Sequence, residues 1–185
     1  MTRRRYLFDS PDHFLAGTVG EPGNRTFFLQ AREASRITSV ALEKIQVAAV
    51  CQRLTELLDQ LEQRGVAGAD ELEHMPAAVA LDEPINEAFR VGTLSLGWDT
   101  GEELVLIEAR EISEEDEGGV DAFGDDEDED GPDVLRVRLT ALVAREFVAR
   151  ALRLITLGRP PCPLCGQPLD PQGHLCPRRN GHLLN

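Results

Sequence analysis

Two stretches of this chain follow one pattern of residue types. HFLAGTVGEPGNRTFFLQARE (13–33) and AFRVGTLSLGWDTGEELVLIEARE (88–111) each run from a Phe through a Gly-Thr pair and a turn to an apolar segment that ends in Ala-Arg-Glu. The segments that follow them, 36–58 and 134–155, also resemble each other. The matching residues are few, so chance similarity is the alternative. We favour an internal duplication and expect both halves to fold in the same way.

The spacing of the matches differs along the repeat. The Gly-Thr pairs begin at Gly17 and Gly92, an offset of 75, whereas Arg32 and Arg110 in the two Ala-Arg-Glu endings are offset by 78. We therefore expect three extra residues in the second turn.

Turn signals and hydrophobic spacing divide each half into three strands and a helix. EPGN and DTGE mark the turns of two hairpins. Apolar residues at helical spacing mark one helix in each half, and a glycine, Gly65 or Gly158, ends it. The predicted elements are strands 14–20, 25–32 and 36–42 with helix 43–64, strands 88–97, 102–110 and 134–139 with helix 140–156, and an additional strand at 4–9.

These elements predict an α+β fold. It has two pseudo-symmetric antiparallel units, 4–65 and 85–157, each with three or four strands followed by a helix. Because a sheet must bury one face, we expect two sheets covered by the two helices. The units form one domain of residues 1–158, and residues 159–185 form a small zinc-binding tail. A length of 185 residues and an apolar fraction of 42% suit this arrangement.

Charge is distributed unevenly along the chain. Residues 111–133 contain thirteen acids and no base, whereas residues 134–185 contain eight arginines and two acids, within a total charge of −14. The acidic segment has few apolar residues, so we expect residues 112–132 to form a disordered, solvated loop. A cation-attracting arm and a lid on the basic third are the alternatives. The basic C-terminal third is the region suited to an anionic partner such as nucleic acid.

The sequence indicates no membrane or secretion signal. Its apolar runs are too short to span a membrane, and acidic residues and His13 interrupt the opening MTRRRYLFDSPDH. We therefore predict a cytoplasmic protein with no membrane partner. In a reducing compartment, clustered cysteines favour metal binding over disulfides.

Three of the four cysteines lie between residues 162 and 176. In CPLCG (162–166), two residues between the cysteines let both thiolates reach one metal, and the following glycine permits the backbone turn that such a site needs. A second knuckle, CPRRNG, begins at Cys176, but Arg179 stands where its second cysteine would be. The turn DPQG would bring His174 back to complete the site. We predict a structural zinc ion bound by Cys162, Cys165, His174 and Cys176.

Other interpretations of the tail stay open. His182 is the alternative fourth ligand. Free thiols, a disulfide that leaves one cysteine over, and a three-thiolate zinc with a bound water are the other arrangements. Four protein ligands would leave no position for a catalytic water. Cys51 lies at the core spacing of the first helix and is interpreted as a small buried apolar residue.

The tail frame CPxCGxPLDPxGHxCPRxNG, which follows GRPP, and the opening RRYLFDSPDHFLAGTVGEPGNRTFFLQARE resemble a family of uncharacterised actinobacterial proteins. The resemblance spans nearly the whole chain. It implies that His174 belongs to the conserved-looking frame and that His182 does not. The family has no assigned activity, so the resemblance supports the choice of ligands and adds little about function.

Three functions fit these features. We favour a zinc-binding, non-enzymatic interaction or adaptor protein with a protein partner. The second is a single-stranded nucleic-acid-binding protein of whirly or PUR-like repeat architecture, which would use the basic C-terminal third. The third is an enzyme with a site between the halves, where Glu33 and Glu111 would be paired carboxylates beside Arg32 and Arg110. Strand-end caps or ion pairs with the arginines are the alternative for these glutamates, and we assign no catalytic residue.

Overall fold

A computed structural model describes residues 3–21, 23–66, 68–113 and 131–156 together with Leu164. The strands are β1 (Arg5–Phe8), β2 (His13–Val19), β3 (Thr26–Glu33), β4 (Arg36–Leu42), β5 (Glu87–Asp99), β6 (Leu104–Glu111) and β7 (Val134–Leu139), and the helices are α1 (Lys44–Gln63) and α2 (Ala141–Thr156). The α+β class and the predicted elements are confirmed, including the additional N-terminal strand. Most of the acidic segment and the boundary predicted at 158 lie outside the described residues. No helix within these ranges is long and apolar enough to cross a membrane.

α1 is fixed at both ends by its own sequence. The backbone N–H of Glu43 donates to the Gln46 side chain at 2.8 Å, which satisfies a donor at the start of the helix. The Gln46 amide also donates to the Val91 carbonyl at 3.1 Å and so joins the start of α1 to β5. Gly65, with φ of 73°, ends the helix in the left-handed conformation that the sequence predicts.

The seven strands form one sheet in the order β1-β7-β6-β5-β4-β3-β2. The sheet has a first part, β2 to β4, and a second part, β5 to β7 with β1. β5 joins the two parts, because residues 87–90 pair in parallel with β4 and residues 91–99 pair antiparallel with β6. β1 pairs in parallel with β7, so the first strand belongs to the second part of the sheet. The prediction of two separate antiparallel sheets was wrong: two parallel pairs join the strands of both halves into one mixed sheet.

The sheet is strongly curled. β1 and β2 stand at opposite ends of the strand order, yet only residues 9–12 connect them. Six strand spacings of a flat sheet would span roughly 29 Å. The chain from Phe8 to His13 reaches at most roughly 18 Å. Accordingly, the side chain of Arg36 at the start of β4 reaches across to β1 and donates to the Leu7 carbonyl at 2.7 Å.

The two helices lie side by side on the concave face of this curled sheet. α2 packs against β2, β6 and β7 together, and α1 packs against β5. The ring of Phe14 on β2 stacks on the ring of Phe147 on α2, with 4.7 Å between the centroids. The main apolar core therefore lies between the helix pair and one face of the sheet. We call the opposite face of the sheet the outer face.

The hairpin registers correct one detail of the predicted repeat. Gly17 lies opposite Phe28, near the turn of the first hairpin. Gly92 lies instead at a register shift at the far end of the second hairpin, and the glycine near that turn is Gly97, opposite Leu106. Six residues separate β2 from β3 and four separate β5 from β6, so the second turn is shorter than the first, not longer.

Candidate functional site

A row of polar residues crosses the outer face of the sheet. Ser95 on β5, Glu108 on β6 and Arg136 on β7 are direct neighbours in the ladder. Arg110 follows two positions after Glu108 and shares its face, because side chains alternate along a strand. All four residues are buried or half-buried. We call Glu108, Arg110 and Arg136 the arginine cluster.

Glu108 holds both arginines of the cluster. Its side chain is 0% exposed, and its Oε1 accepts from Nε of Arg110 at 2.8 Å. Its Oε2 accepts from Nε of Arg136 at 2.8 Å and from Nη2 of the same residue at 2.7 Å. These bonds fix the two guanidinium groups on neighbouring strands and compensate the carboxylate for its removal from water.

The arginine cluster contains an unused donor. Two arginines face one carboxylate, and Nη2 of Arg110 is buried without a hydrogen-bond partner in the part of the chain that the structure describes. A buried donor without an acceptor costs free energy. The position beside Arg110 therefore favours a further acceptor. An anionic oxygen suits it best, because the guanidinium fork matches carboxylate and phosphate groups.

In the first half, the residue that corresponds to Arg110 is Arg32, and a segment of the chain itself lies beside it. Gln30 on β3 is buried, as Glu108 is on β6, and Arg32 follows it by two positions. The Gln30 amide donates to the Ser39 hydroxyl and to the Asp82 carbonyl, both at 3.0 Å. Its oxygen accepts from the Asp82 N–H at 2.7 Å. Gln30 thus binds both backbone groups of Asp82, which belongs to the linker (residues 64–86) between α1 and β5.

Two further contacts hold this linker on the outer face. The Asp82 carboxylate accepts from Nη1 of Arg32 at 3.1 Å. The Leu81 side chain covers Gly17 of β2 so closely that a Cβ at this glycine would overlap with Cγ of Leu81. The dipeptide Leu81-Asp82 is therefore held by an arginine, a buried amide and a gap that only glycine leaves.

The second half repeats two of these three features. Arg110 and Gly97 stand in the register positions that Arg32 and Gly17 occupy in the first hairpin. Glu108 replaces the amide, and its oxygens are taken by the arginines of the cluster. The second half therefore has an arginine and a glycine at the same separation along its first two strands as Arg32 and Gly17 in the first half.

The predicted zinc ligands lie outside the described residues. They are Cys162, Cys165, His174 and Cys176, with His182 as the alternative. Among the side chains that the structure does describe, no group of three or more His, Cys, Asp or Glu is arranged to hold a metal ion. The zinc site stays a prediction from the sequence.

Glu33 and Glu111 have separate partners. Glu33 forms an ion pair with Arg36 and accepts from the backbone N–H of Ser10 at 3.2 Å. Glu111 accepts from the backbone N–H of Asp133 at 3.3 Å. No hydrogen bond between described residues joins the two glutamates. Each ties the end of its strand to a neighbouring segment.

The described arginines of the basic third contact acceptors within the body. The side chain of Arg145 is 12% exposed and pairs with Asp59 and Glu62 of α1 at 2.9 and 3.0 Å. Arg150 and Arg153 donate to backbone carbonyls of the linker. These side chains fasten α2 to α1 and to the linker, which reduces their availability to an anionic partner.

Cys51 lies in the core, on the buried side of α1. It is fully buried, and desolvation raises the pKa of its thiol to about 11. The interpretation of Cys51 as a small buried apolar residue is confirmed. Because the thiolate is the reactive form, this thiol is inert at neutral pH.

Sequence reasoning missed Gln30, Asp82 and Glu108. A signal for Glu108 exists, because it interrupts the apolar run of LVLIEARE, and a carboxylate at such a position indicates a buried ion pair. Gln30 interrupts TFFLQARE at the same place. Nothing local marks Asp82, which meets Gln30 across 52 residues of sequence.

The fold and the site define an α+β protein with one curled mixed sheet, two helices on its concave face and a charged cluster on its outer face. The chain belongs to the family described as a protein of unknown function, DUF3090, whose model matches residues 6–176. This confirms the resemblance to an uncharacterised family. The matched range includes all four predicted zinc ligands and ends before His182. No curated protein and no solved structure matches the chain.

Proposed function

We propose that this chain is a non-enzymatic interaction protein. Its α+β body holds peptide segments on the outer face of the sheet, and a zinc-binding C-terminal tail adds a contact surface for a protein partner. The observation that carries the proposal is the unused donor of Arg110 inside the arginine cluster.

The chemistry of the arginine cluster suits docking better than catalysis. The Glu108 carboxylate accepts hydrogen bonds from two guanidinium groups, so neither oxygen is free to act as a base or nucleophile. Guanidinium groups act as hydrogen-bond donors to anions and are poorly suited to general acid–base catalysis. What remains is a donor for a carboxylate, and Arg32 uses such a donor to hold Asp82.

The zinc site proposed for the tail uses Cys162, Cys165, His174 and Cys176. Four protein ligands close a tetrahedral zinc site, which is the structural rather than the catalytic form. The range matched by the family model, 6–176, supports His174 over His182 because it ends before the latter. A bound zinc would stabilise a tail that has few apolar residues for a core of its own.

Two finer proposals accompany this function. The first is the internal duplication, which is supported by the equal order of elements in β2-β3-β4-α1 and β5-β6-β7-α2. The second is an actinobacterial origin, which rests on the sequence resemblance, and a cytoplasmic location, which rests on the clustered cysteines, because a reducing compartment favours metal binding over disulfides.

Nucleic-acid binding is the second candidate function. The open donor of Arg110 also suits a phosphate oxygen. Against this candidate, Arg145, Arg150 and Arg153 are engaged with α1, α2 and the linker. An enzyme with its site between the halves ranks third, because Glu33 and Glu111 bind different neighbours.

Affinity capture with the full chain tests the proposed function. Zinc-loaded protein should retain a protein partner in stoichiometric amount, and the double variant Cys162→Ser/Cys165→Ser should retain much less because its tail cannot form the zinc site. Cys51→Ala is the matched control, since it also removes a thiol but from the core of the body.

Two results would count against the proposed function. Equal capture by the wild type and the zinc-ligand variant would separate the tail from partner binding. Salt-sensitive binding of single-stranded DNA or RNA in fluorescence anisotropy, with no protein partner retained, would favour the nucleic-acid alternative.

A further inference from the structure

Arg32 pairs with the carboxylate of Asp82 in the linker, whereas the described part of the chain offers Arg110 only the carboxylate of Glu108 on its own strand. We propose that the C-terminal tail supplies a second carboxylate, and that the tail docks on the outer face of β5, β6 and β7 through Leu169 and Asp170. The Asp170 carboxylate binds Arg110, and the Leu169 side chain covers Gly97. This inference rests on the proposed function and deepens it by naming the segment that the arginine cluster holds.

The linker in the first half provides the pattern for this contact. There, Leu81 covers Gly17 and the next residue, Asp82, pairs with Arg32 at 3.1 Å. An extended dipeptide, apolar then acidic, thus lies across the first hairpin with one side chain on a glycine and the other on an arginine. The register of the second hairpin puts a glycine and an arginine at the same separation.

The tail contains the same dipeptide at a comparable place in the chain. VALDEP holds Leu81-Asp82 in the segment after α1, and QPLDP holds Leu169-Asp170 in the segment after α2. α2 ends at Thr156, thirteen residues before Leu169. A chain of this length can extend over roughly 45 Å. It can therefore cross a sheet whose strands lie about 4.8 Å apart.

Charge also favours this segment. Asp170 is the only acidic side chain among residues 157–185. Docking it on Arg110 gives an acceptor to Nη2 of this arginine, which has none among the described residues, and adds a charge-assisted hydrogen bond. The competing occupant within the chain is the acidic segment 114–130, which contains no leucine and only one apolar-acidic pair, Val120-Asp121.

The docking has a consequence for the proposed zinc site. Leu169 and Asp170 lie between the predicted ligands Cys165 and His174 in the sequence. Fixing this dipeptide to the sheet would therefore restrict the stretch of chain that joins these two ligands. The body and the zinc tail would then stabilise each other.

Hydrogen exchange of the full, zinc-loaded chain tests the docking. Asp170→Asn removes the proposed carboxylate and leaves the pair between Glu108 and Arg110 intact. We expect amide exchange in residues 165–175 to accelerate about tenfold or more, because a hydrogen bond to a charged group is lost. Asp121→Asn is the matched control in the acidic segment and should change nothing there. Arg110→Gln should accelerate exchange as much as Asp170→Asn, and the double variant should add little.

Three outcomes would overturn the docking. Unchanged exchange of the tail in Asp170→Asn would exclude this contact. Faster exchange on β6 in Asp121→Asn would assign the position to the acidic segment. An effect of Arg110→Gln without any effect of Asp170→Asn would assign the position to another carboxylate. Loss of partner capture alone, with the exchange effects as expected, would contradict only the proposed function.

Discussion

The carboxylate of Glu108 fixes the positions of two arginines on the outer face of the sheet. Glu108 is fully buried and binds two arginines, whereas Gln30, in the same place of the first hairpin, binds the backbone of the linker. The difference between an acid and an amide at this position therefore decides whether the side chain binds arginines or the backbone of a peptide. A single substitution at such a position would therefore change which groups the outer face can bind.

Replacing Glu108 with alanine should destabilise the protein by about 3–5 kcal/mol, because two half-buried guanidinium groups lose the carboxylate that they share. The free energy of unfolding measured with urea checks this value. Glu102→Ala, at an exposed turn position, is the control and should change stability by less than about 0.5 kcal/mol. Equal stability of the two variants would show that the arginine cluster contributes little to the fold.

The Cys51 thiol makes stability depend on alkaline pH. Its pKa is about 11 in the folded protein because of burial, against an ordinary value of 9.0. The unfolded chain therefore loses this proton first, so the contribution of Cys51 is complete below about pH 9 and falls as the pH rises through 11.

Thermal unfolding of the wild type and Cys51→Ala between pH 8 and 11 should show this effect. The difference in melting temperature between the wild type and the variant should stay constant below pH 9. Between pH 9 and 11, the wild type should lose stability relative to the variant. A constant difference over the whole range would mean that the thiol ionises as readily in the folded protein as in the unfolded chain.

Among the elements, the linker between α1 and β5 is the clearest example of a segment held by specific contacts. It has no helix or strand between residues 64 and 86 in its described part, yet side chains from β3 and α2 bind it. Gln30 and Arg32 hold it on the outer face, and Arg150 binds it from α2. A segment without regular structure is fixed here by its neighbours.

Gly17→Ala should displace the linker. The new methyl group would overlap the Leu81 side chain, and overpacking of this kind costs about 1–3 kcal/mol. Limited proteolysis should cleave within residues 75–84 faster than in the wild type. Leu81→Ala removes the overlap, so the double variant should be more stable than the sum of the two single effects predicts. Strictly additive effects would mean that the two side chains do not meet.

The elements themselves were predictable from the sequence, and their partners were not. Periodicity and turn residues gave every described strand and helix, because both signals are local. The pairing of β1 with β7 joins residues that are about 130 positions apart, and no local pattern encodes it. The contact of Gln30 with Asp82 was missed for the same reason. The match between the two Gly-Thr pairs gave a wrong alignment of the hairpins. It relied on identical residue types, whereas the register of a hairpin depends on the length of its turn.

As a whole, the molecule is a body whose two halves share one sheet. β4 pairs with β5 and β7 pairs with β1, so neither half completes its own sheet alone. On the outer face of this sheet, the linker lies on β2 and β3, and the arginine cluster lies on β6 and β7. The proposed tail would extend the same body rather than form a separate unit.

The whole chain should contain one zinc ion, bound by the C-terminal tail. Native mass spectrometry or elemental analysis checks the metal content. Cys162→Ser, Cys176→Ser and His174→Ala should each lose the zinc, because a tetrahedral structural site needs all four ligands. His182→Ala is the matched control and should retain it. Zinc loss in His182→Ala and retention in His174→Ala would exchange the fourth ligand, and a wild type without zinc would exclude the site.

The short strand β1 closes the sheet against a segment made much later in synthesis. The backbone N–H of Arg4 donates to the Asp133 carboxylate across 129 residues, beside the first pair of the β1–β7 ladder. The ribosome makes β1 before β7, so β1 has no ladder partner in β7 until 129 further residues have been synthesised. Contacts of such long range slow folding, because a large loop must close before they form. Nascent chains of this protein would therefore depend on protection of the apolar side chain of Phe8 until the closing strand arrives.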